Sequence, residues 1–137
     1  MKVEEVVERL GLSEKVEILG YVEDAQLPDL YSNARALLIP SLYEGFGLPI
    51  VEAFSQGTPV LTSNCGAMKE VAGDAALLVN PLDVEGMARG LVKLTTEQAL
   101  VERLQRNALA RLNMFCWERS AAKTLSVLEG SYQARRT

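Results

Sequence analysis

The sequence predicts an α/β fold, a Rossmann-like parallel sheet of about four strands flanked by helices, with a helical C-terminal segment. Three observations predict it. Short apolar runs bounded by turn residues alternate with segments of helical period. A glycine turn joins the end of one such run to a helix start marked by Pro49. After Pro81 no further strand pattern occurs and only helical period remains.

Val3, Val6, Val7 and Leu10 recur at helical spacing, and Gly11 can end that opening helix. Strands are expected at Val16–Gly20, Ala36–Pro40, Pro59–Thr62 and Ala76–Val79. Between them lie a short helix around Gln26–Asn33, one from about Leu48 to Gln56, and a single turn near Met68–Val71. Gly57 stands where a helix C-terminus favours a left-handed residue. Three helices follow, at roughly Val84–Leu94, Glu97–Leu112 and Trp117–Tyr132. Asp83 can cap the first, and Thr95 with Gln98 forms a capping-box pattern for the second. The stripe Val84, Met87, Ala88, Leu91 and Val92 reads as core packing, and Phe115 with Trp117 as anchors for the last helix.

A chain of 137 residues with 48% hydrophobic content suits a single domain spanning 1–137. Its 14 basic residues are scattered among 18 acidic ones for a net charge of -4, which argues against a nucleic-acid groove or a polybasic membrane patch. No apolar run is long enough to span a bilayer, and Glu4, Glu5 and Glu8 do not suit a signal peptide. The expectation is a soluble, cytoplasmic chain. Cys65 and Cys116 are far apart in sequence and, with no histidine in the chain, complete no zinc set, so they read as free thiols. The lack of histidine also excludes a Ser-His-Asp or Cys-His hydrolase.

The chemistry concentrates in Ile39 to Ala53, which runs from the carboxyl end of a strand through a glycine turn into a helix. In an open parallel sheet that edge binds ligands. Gly45 and Gly47 allow a sharp turn and close approach of backbone to ligand. The unpaired amides near Gly47 and Leu48 would attract phosphate. No Lys or Arg lies between Arg35 and Lys69, so backbone donors or cations from elsewhere must serve a diphosphate. Glu44 and Glu52 suit the vicinal hydroxyls of a ribose or hexose. Two other readings stand beside this one. In one the glycines only shape a tight turn beside a solvated Glu52; in the other they mark a dinucleotide site, although Ile50 replaces the third glycine of that fingerprint. Lys69 reads as a solvated turn residue.

The residues Pro40 to Ala53, with Gly57-Thr58-Pro59-Val60, Gly66 to Gly73 and Asn80-Pro81, closely resemble the second Rossmann-like domain of GT-B retaining glycosyltransferases of the group 1 type. That group includes bacterial mannosyl- and glucosyltransferases. Val16 to Val22 and Leu27 to Ala34 share the resemblance. It implies a nucleotide-diphosphate sugar as donor and no metal. Glu44 would lie beside the donor sugar as the catalytic glutamate, and Glu52 would bind the ribose hydroxyls. Backbone amides of Gly45, Phe46 and Gly47 would meet the sugar, the helix from Leu48 the diphosphate, and Gly20, Tyr21 and Val22 the base.

In this family the second domain opens with another strand, helix and strand that carry an Arg and a Lys for the diphosphate. A first domain binds the glycan or lipid acceptor, and neither precedes Met1. The resemblance therefore implies an incomplete donor-binding domain, inactive alone, from an enzyme of polysaccharide biosynthesis able to sit at the inner membrane face. It also implies a gap in the sheet. Either Val16–Gly20 pairs directly with Ala36–Pro40, or chains self-associate or exchange strands through exposed edges. The alternatives are a non-catalytic nucleotide-sugar-binding or interaction module, half of a split enzyme, and, more remotely, an epimerase of the same fold.

Overall fold

The computed structural model describes residues 2–134. In it three parallel strands, β1 (Leu37–Ile39), β2 (Val60–Ser63) and β3 (Leu77–Val79), form one sheet in the order β1-β2-β3. The helices are α1 (Val3–Arg9), α2 (Leu27–Asn33), α3 (Leu48–Ser55), α4 (Gly66–Ala72), α5 (Val84–Thr96), α6 (Gln98–Leu112) and α7 (Trp117–Ala134), with a 3-10 turn at Asp24–Gln26. No helix among the described residues is long and apolar enough to cross a membrane.

Every residue of β2 is buried, because the strand is covered on both faces and paired on both edges. Side chains alternate across the sheet, so Val60 joins a core with Ile50, Phe54 and Met68 from α3 and α4. Leu61, its neighbour, enters a second core with Leu94 of α5 and Leu104 of α6. The register preserves this division: Leu37 lies opposite Val60 on the first face, and Leu61 opposite Leu77 on the second. The buried hydroxyl of Thr62 donates to Ile39 O at 2.9 Å, and that of Ser63 to Ser41 O at 2.6 Å, which removes the cost of burying them unpaired.

Several helix ends follow the sequence. Gly57, at φ 72°, closes α3: its amide donates to Phe54 O at 3.1 Å and that of Thr58 to Ala53 O at 2.9 Å. Asp83 caps α5 by accepting from Gly86 N at 2.8 Å. Gly11 ends α1 at φ 65°.

Other expectations are corrected. Val16–Gly20 forms no strand, so the sheet has three strands rather than four among the described residues. A run becomes a strand only when its backbone pairs with a neighbour. Here Val16 N donates back to Leu12 O in a local turn, β1 pairs only with β2, and Ile18 and Leu19 stand exposed. The direct pairing of this run with Ala36–Pro40 is therefore absent. Met68–Val71 belongs to the longer α4 rather than to a single turn. The Thr95 capping box does not form, because Thr95 is still inside α5 and its hydroxyl bonds back to Leu91 and Val92 carbonyls. Of the α5 stripe, Met87 and Leu91 pack into the second core, with Gly90 and Leu94 buried beside them, while Val84, Ala88 and Val92 face outward. Trp117 is 84% exposed and joins neither core, whereas Phe115 does pack on the first core.

Candidate functional site

The site is built at the carboxyl end of β1, where the chain leaves Ile39, turns through residues 40–47 and enters α3. Gly47 is the N-cap of α3 with φ 104° and ψ 45°, a conformation L side chains rarely adopt. A methyl group there would also stand 2.5 Å from Met68 Cε, so α4 presses against the turn from behind. No side chain caps α3, and Pro49 has no amide to donate, so the helix start offers backbone donors such as Leu48 N to the space ahead of it. Gly45 has no such steric reason to be glycine: its φ lies outside the left-handed region, and an added Cβ would meet nothing within 4 Å.

The two glutamates have different settings. Glu44 is exposed in the turn and accepts from Ser41 Oγ at 2.9 Å. Ser41 is itself tied through its carbonyl to Ser63 at the end of β2. Glu52 lies about one helical turn inside α3, half-buried, and its Oε2 accepts from the Tyr31 hydroxyl of α2 at 2.9 Å. Tyr31 is held in turn by Thr58, whose hydroxyl donates to Tyr31 O at 2.6 Å. The Tyr31 hydroxyl is pushed from its ordinary value of 10.0 to about 12, chiefly by burial, then by the hydrogen bond to Glu52 and its negative charge.

The structure thus brings Glu44, Gly45, Phe46, Gly47, Leu48 and Glu52 into one strand-turn-helix unit. Gly20, Tyr21 and Val22 lie outside it, in an irregular segment rather than at a strand end, with Tyr21 88% exposed. Lys69 is exposed on α4. An apolar groove of about 530 Å³ flanks the turn, walled by Phe46, Leu48 and Val51 on one side and by Met114, Phe115 and Trp117 on the other. Neither glutamate lines it. A second, polar cavity lies at the opposite rim, near Arg35, Thr58 and Thr95. Sequence reasoning missed Tyr31 and Ser41 as partners of the two acids. Tyr31 gave no local signal because its contact spans 21 positions, whereas Ser41 lies three residues from Glu44 and was readable as a turn hydroxyl.

Residues 1–111 match the family described as glycosyl transferases group 1. The O-antigen chain mannosyltransferase B of Escherichia coli is 39% identical over 122 residues, which is 89% of this chain and 32% of that protein. The chain thus spans about a third of that relative's length (32%). The sucrose-phosphate synthase of Thermosynechococcus elongatus superposes with a TM-score of 0.87 at 29% identity, covering 96% of this chain and 34% of that one. The HepE protein of Anabaena, solved in complex with UDP and glucose, superposes with a TM-score of 0.74 at 27% identity, covering 90% of this chain and 35% of that one.

Proposed function

The chain belongs to the group 1 glycosyl transferases, and from that premise we propose that it is the donor-binding part of a retaining hexosyltransferase that uses a nucleotide-diphosphate sugar. The observation that carries this reading is the uncapped start of α3 at Gly47, set at the carboxyl edge of the sheet between Glu44 and Glu52. Such an end presents amide dipoles to phosphate oxygens, and the amides of Gly45, Phe46 and Gly47 precede it for sugar hydroxyls. Glu44 takes the donor sugar, and the Oε1 of Glu52 takes the ribose hydroxyls while Oε2 is held by Tyr31. Gly20, Tyr21 and Val22 are assigned to the base.

During transfer, negative charge grows on the leaving diphosphate. Amides already aimed at it stabilise that charge without reorganising. No metal is assigned to this step. Cations and the acceptor site are assigned to parts of the whole enzyme beyond this third of it, so the isolated chain binds donor without transferring it. The relation to a mannosyltransferase favours a hexosyl donor.

Calorimetric titration of the chain with GDP-mannose, UDP-glucose and ADP-glucose tests the proposal. Saturable binding of one of them, weakened in Glu52→Ala, is expected. No binding of any, or an isotherm indifferent to Glu52→Ala, overturns it.

A further inference from the structure

Phe46 is the one residue of the Gly45-Phe46-Gly47 turn with a side chain. Its ring meets that of Phe115 edge to face, with centroids 5.8 Å apart and planes at 89°. Phe115 comes from the link between α6 and α7, 69 positions away, and its back packs on the first core. That link is itself pinned, as Met114 N donates to Arg111 O at 2.9 Å and Phe115 N to Leu112 O at 3.0 Å.

Behind Phe115 stands Arg111. Its guanidinium lies 6.0 Å from the Phe115 ring centroid, donates through Nε to Val71 O at 2.7 Å, and bonds the Glu70 carbonyl as well. These are carbonyls in the last turn of α4. The room for this fork exists because residue 73 is glycine: a Cβ there would lie 2.6 Å from Arg111 Cζ. A continuous set of contacts therefore runs from the end of α4 through Arg111 and Phe115 to the turn.

We infer that Phe115, seated by Arg111, is a positioning residue that fixes the Glu44–Gly47 turn through Phe46 for donor binding. The inference rests on the donor-binding reading of that turn. The physical need is plain. Glu44, Gly45 and Phe46 are all exposed, Gly45 has no side chain to restrict it, and amides act on a ligand in proportion to how well they are already aimed. The Phe115 ring is the external contact that restrains the one bulky side chain in the turn.

The test compares Phe115→Leu, which keeps apolar bulk, with Phe115→Tyr, which keeps the ring. Backbone NMR order parameters at residues 45–48 and calorimetric affinity for UDP-glucose and GDP-mannose are read for each. Phe115→Leu is expected to lower the order parameters in the turn and weaken binding about three- to tenfold, with Phe115→Tyr close to the parent. In a Phe46→Leu background, Phe115→Leu should have no further effect on affinity, an outcome that general destabilisation would not produce. Arg111→Lys, which keeps the charge but loses the fork, should show the same pattern if Phe115→Leu fails to fold. Unchanged order parameters at residues 45–48, or fully additive losses in the double variant, overturn the inference. If the parent chain binds neither sugar, the donor reading fails, while the order parameters still decide whether Phe115 holds the turn.

Discussion

The Tyr31 hydroxyl donates to Glu52 Oε2 at 2.9 Å, joining α2 to α3 across 21 positions of sequence. The bond engages one carboxylate oxygen of Glu52 and fixes the direction in which the other points. Removing the acid and removing its holder should therefore have different results. Glu52→Ala is expected to weaken nucleotide-sugar binding by tenfold or more, since a hydrogen bond to a charged group contributes about 1.5–3 kcal/mol. Tyr31→Phe should weaken it less and lower stability by about 1 kcal/mol. Calorimetry and urea unfolding of the two variants check this order.

Burial of the Tyr31 hydroxyl, with this bond and the Glu52 charge beside it, makes stability fall in alkali. Between pH 10 and about 12 the folded chain keeps the Tyr31 proton that the unfolded chain has already lost. The unfolded state then binds fewer protons, so the slope of stability against pH is negative in that window. The contribution is fully present below pH 10 and is lost as pH rises through about 12. Thermal unfolding at pH 9 and pH 11 should show a smaller drop for Tyr31→Phe than for the parent. An equal drop would assign the effect to other groups.

Gly45 and Gly47 should respond oppositely to alanine. Gly47→Ala forces a side chain into φ 104° and against Met68, whose flexible end can yield while the backbone strain remains. A loss of about 1–2 kcal/mol in unfolding free energy is expected. Gly45→Ala meets nothing within 4 Å, so stability should stay within about 0.5 kcal/mol. On the proposed function its methyl group would instead stand where a donor sugar approaches the backbone, and affinity should drop. A stable Gly45→Ala with parental affinity would remove Gly45 from the site.

Gly90 lies buried on α5 against the second core, and a Cβ there would come within 2.5 Å of Leu61 Cδ1 and 3.2 Å of Leu77 Cδ2. Alanine is the better helix former by about 1 kcal/mol, but overpacking costs about 1–3 kcal/mol. Leu61 is wholly buried and has little room to retreat, so Gly90→Ala is expected to lower the thermal midpoint. A raised midpoint would show that the sheet can shift to admit the methyl group.

Legibility varied with the range of the interactions concerned. The Pro40–Ala53 unit was readable because its determinants are adjacent: an apolar run, two glycines, a proline at a helix start and two acids eight positions apart. The α5 cap at Asp83 and the α3 stop at Gly57 were readable for the same reason. The Thr95 cap was misplaced because a threonine inside a helix can satisfy its hydroxyl on preceding carbonyls and leave the helix to continue.

Apolar pattern alone misjudged Val16–Gly20 and Trp117. A strand depends on a partner for its backbone, and an aromatic anchor depends on a surface that receives it, neither of which is encoded at the residue itself. By itself the sequence determined the parallel α/β architecture, the strand-turn-helix unit and its two carboxylates, because each rests on local periodicity or local backbone geometry. Only the tertiary structure decided that Tyr31 orients Glu52, that Met68 backs Gly47 and that Phe115 braces Phe46. Those relationships join side chains distant in sequence, and packing alone brings them within reach.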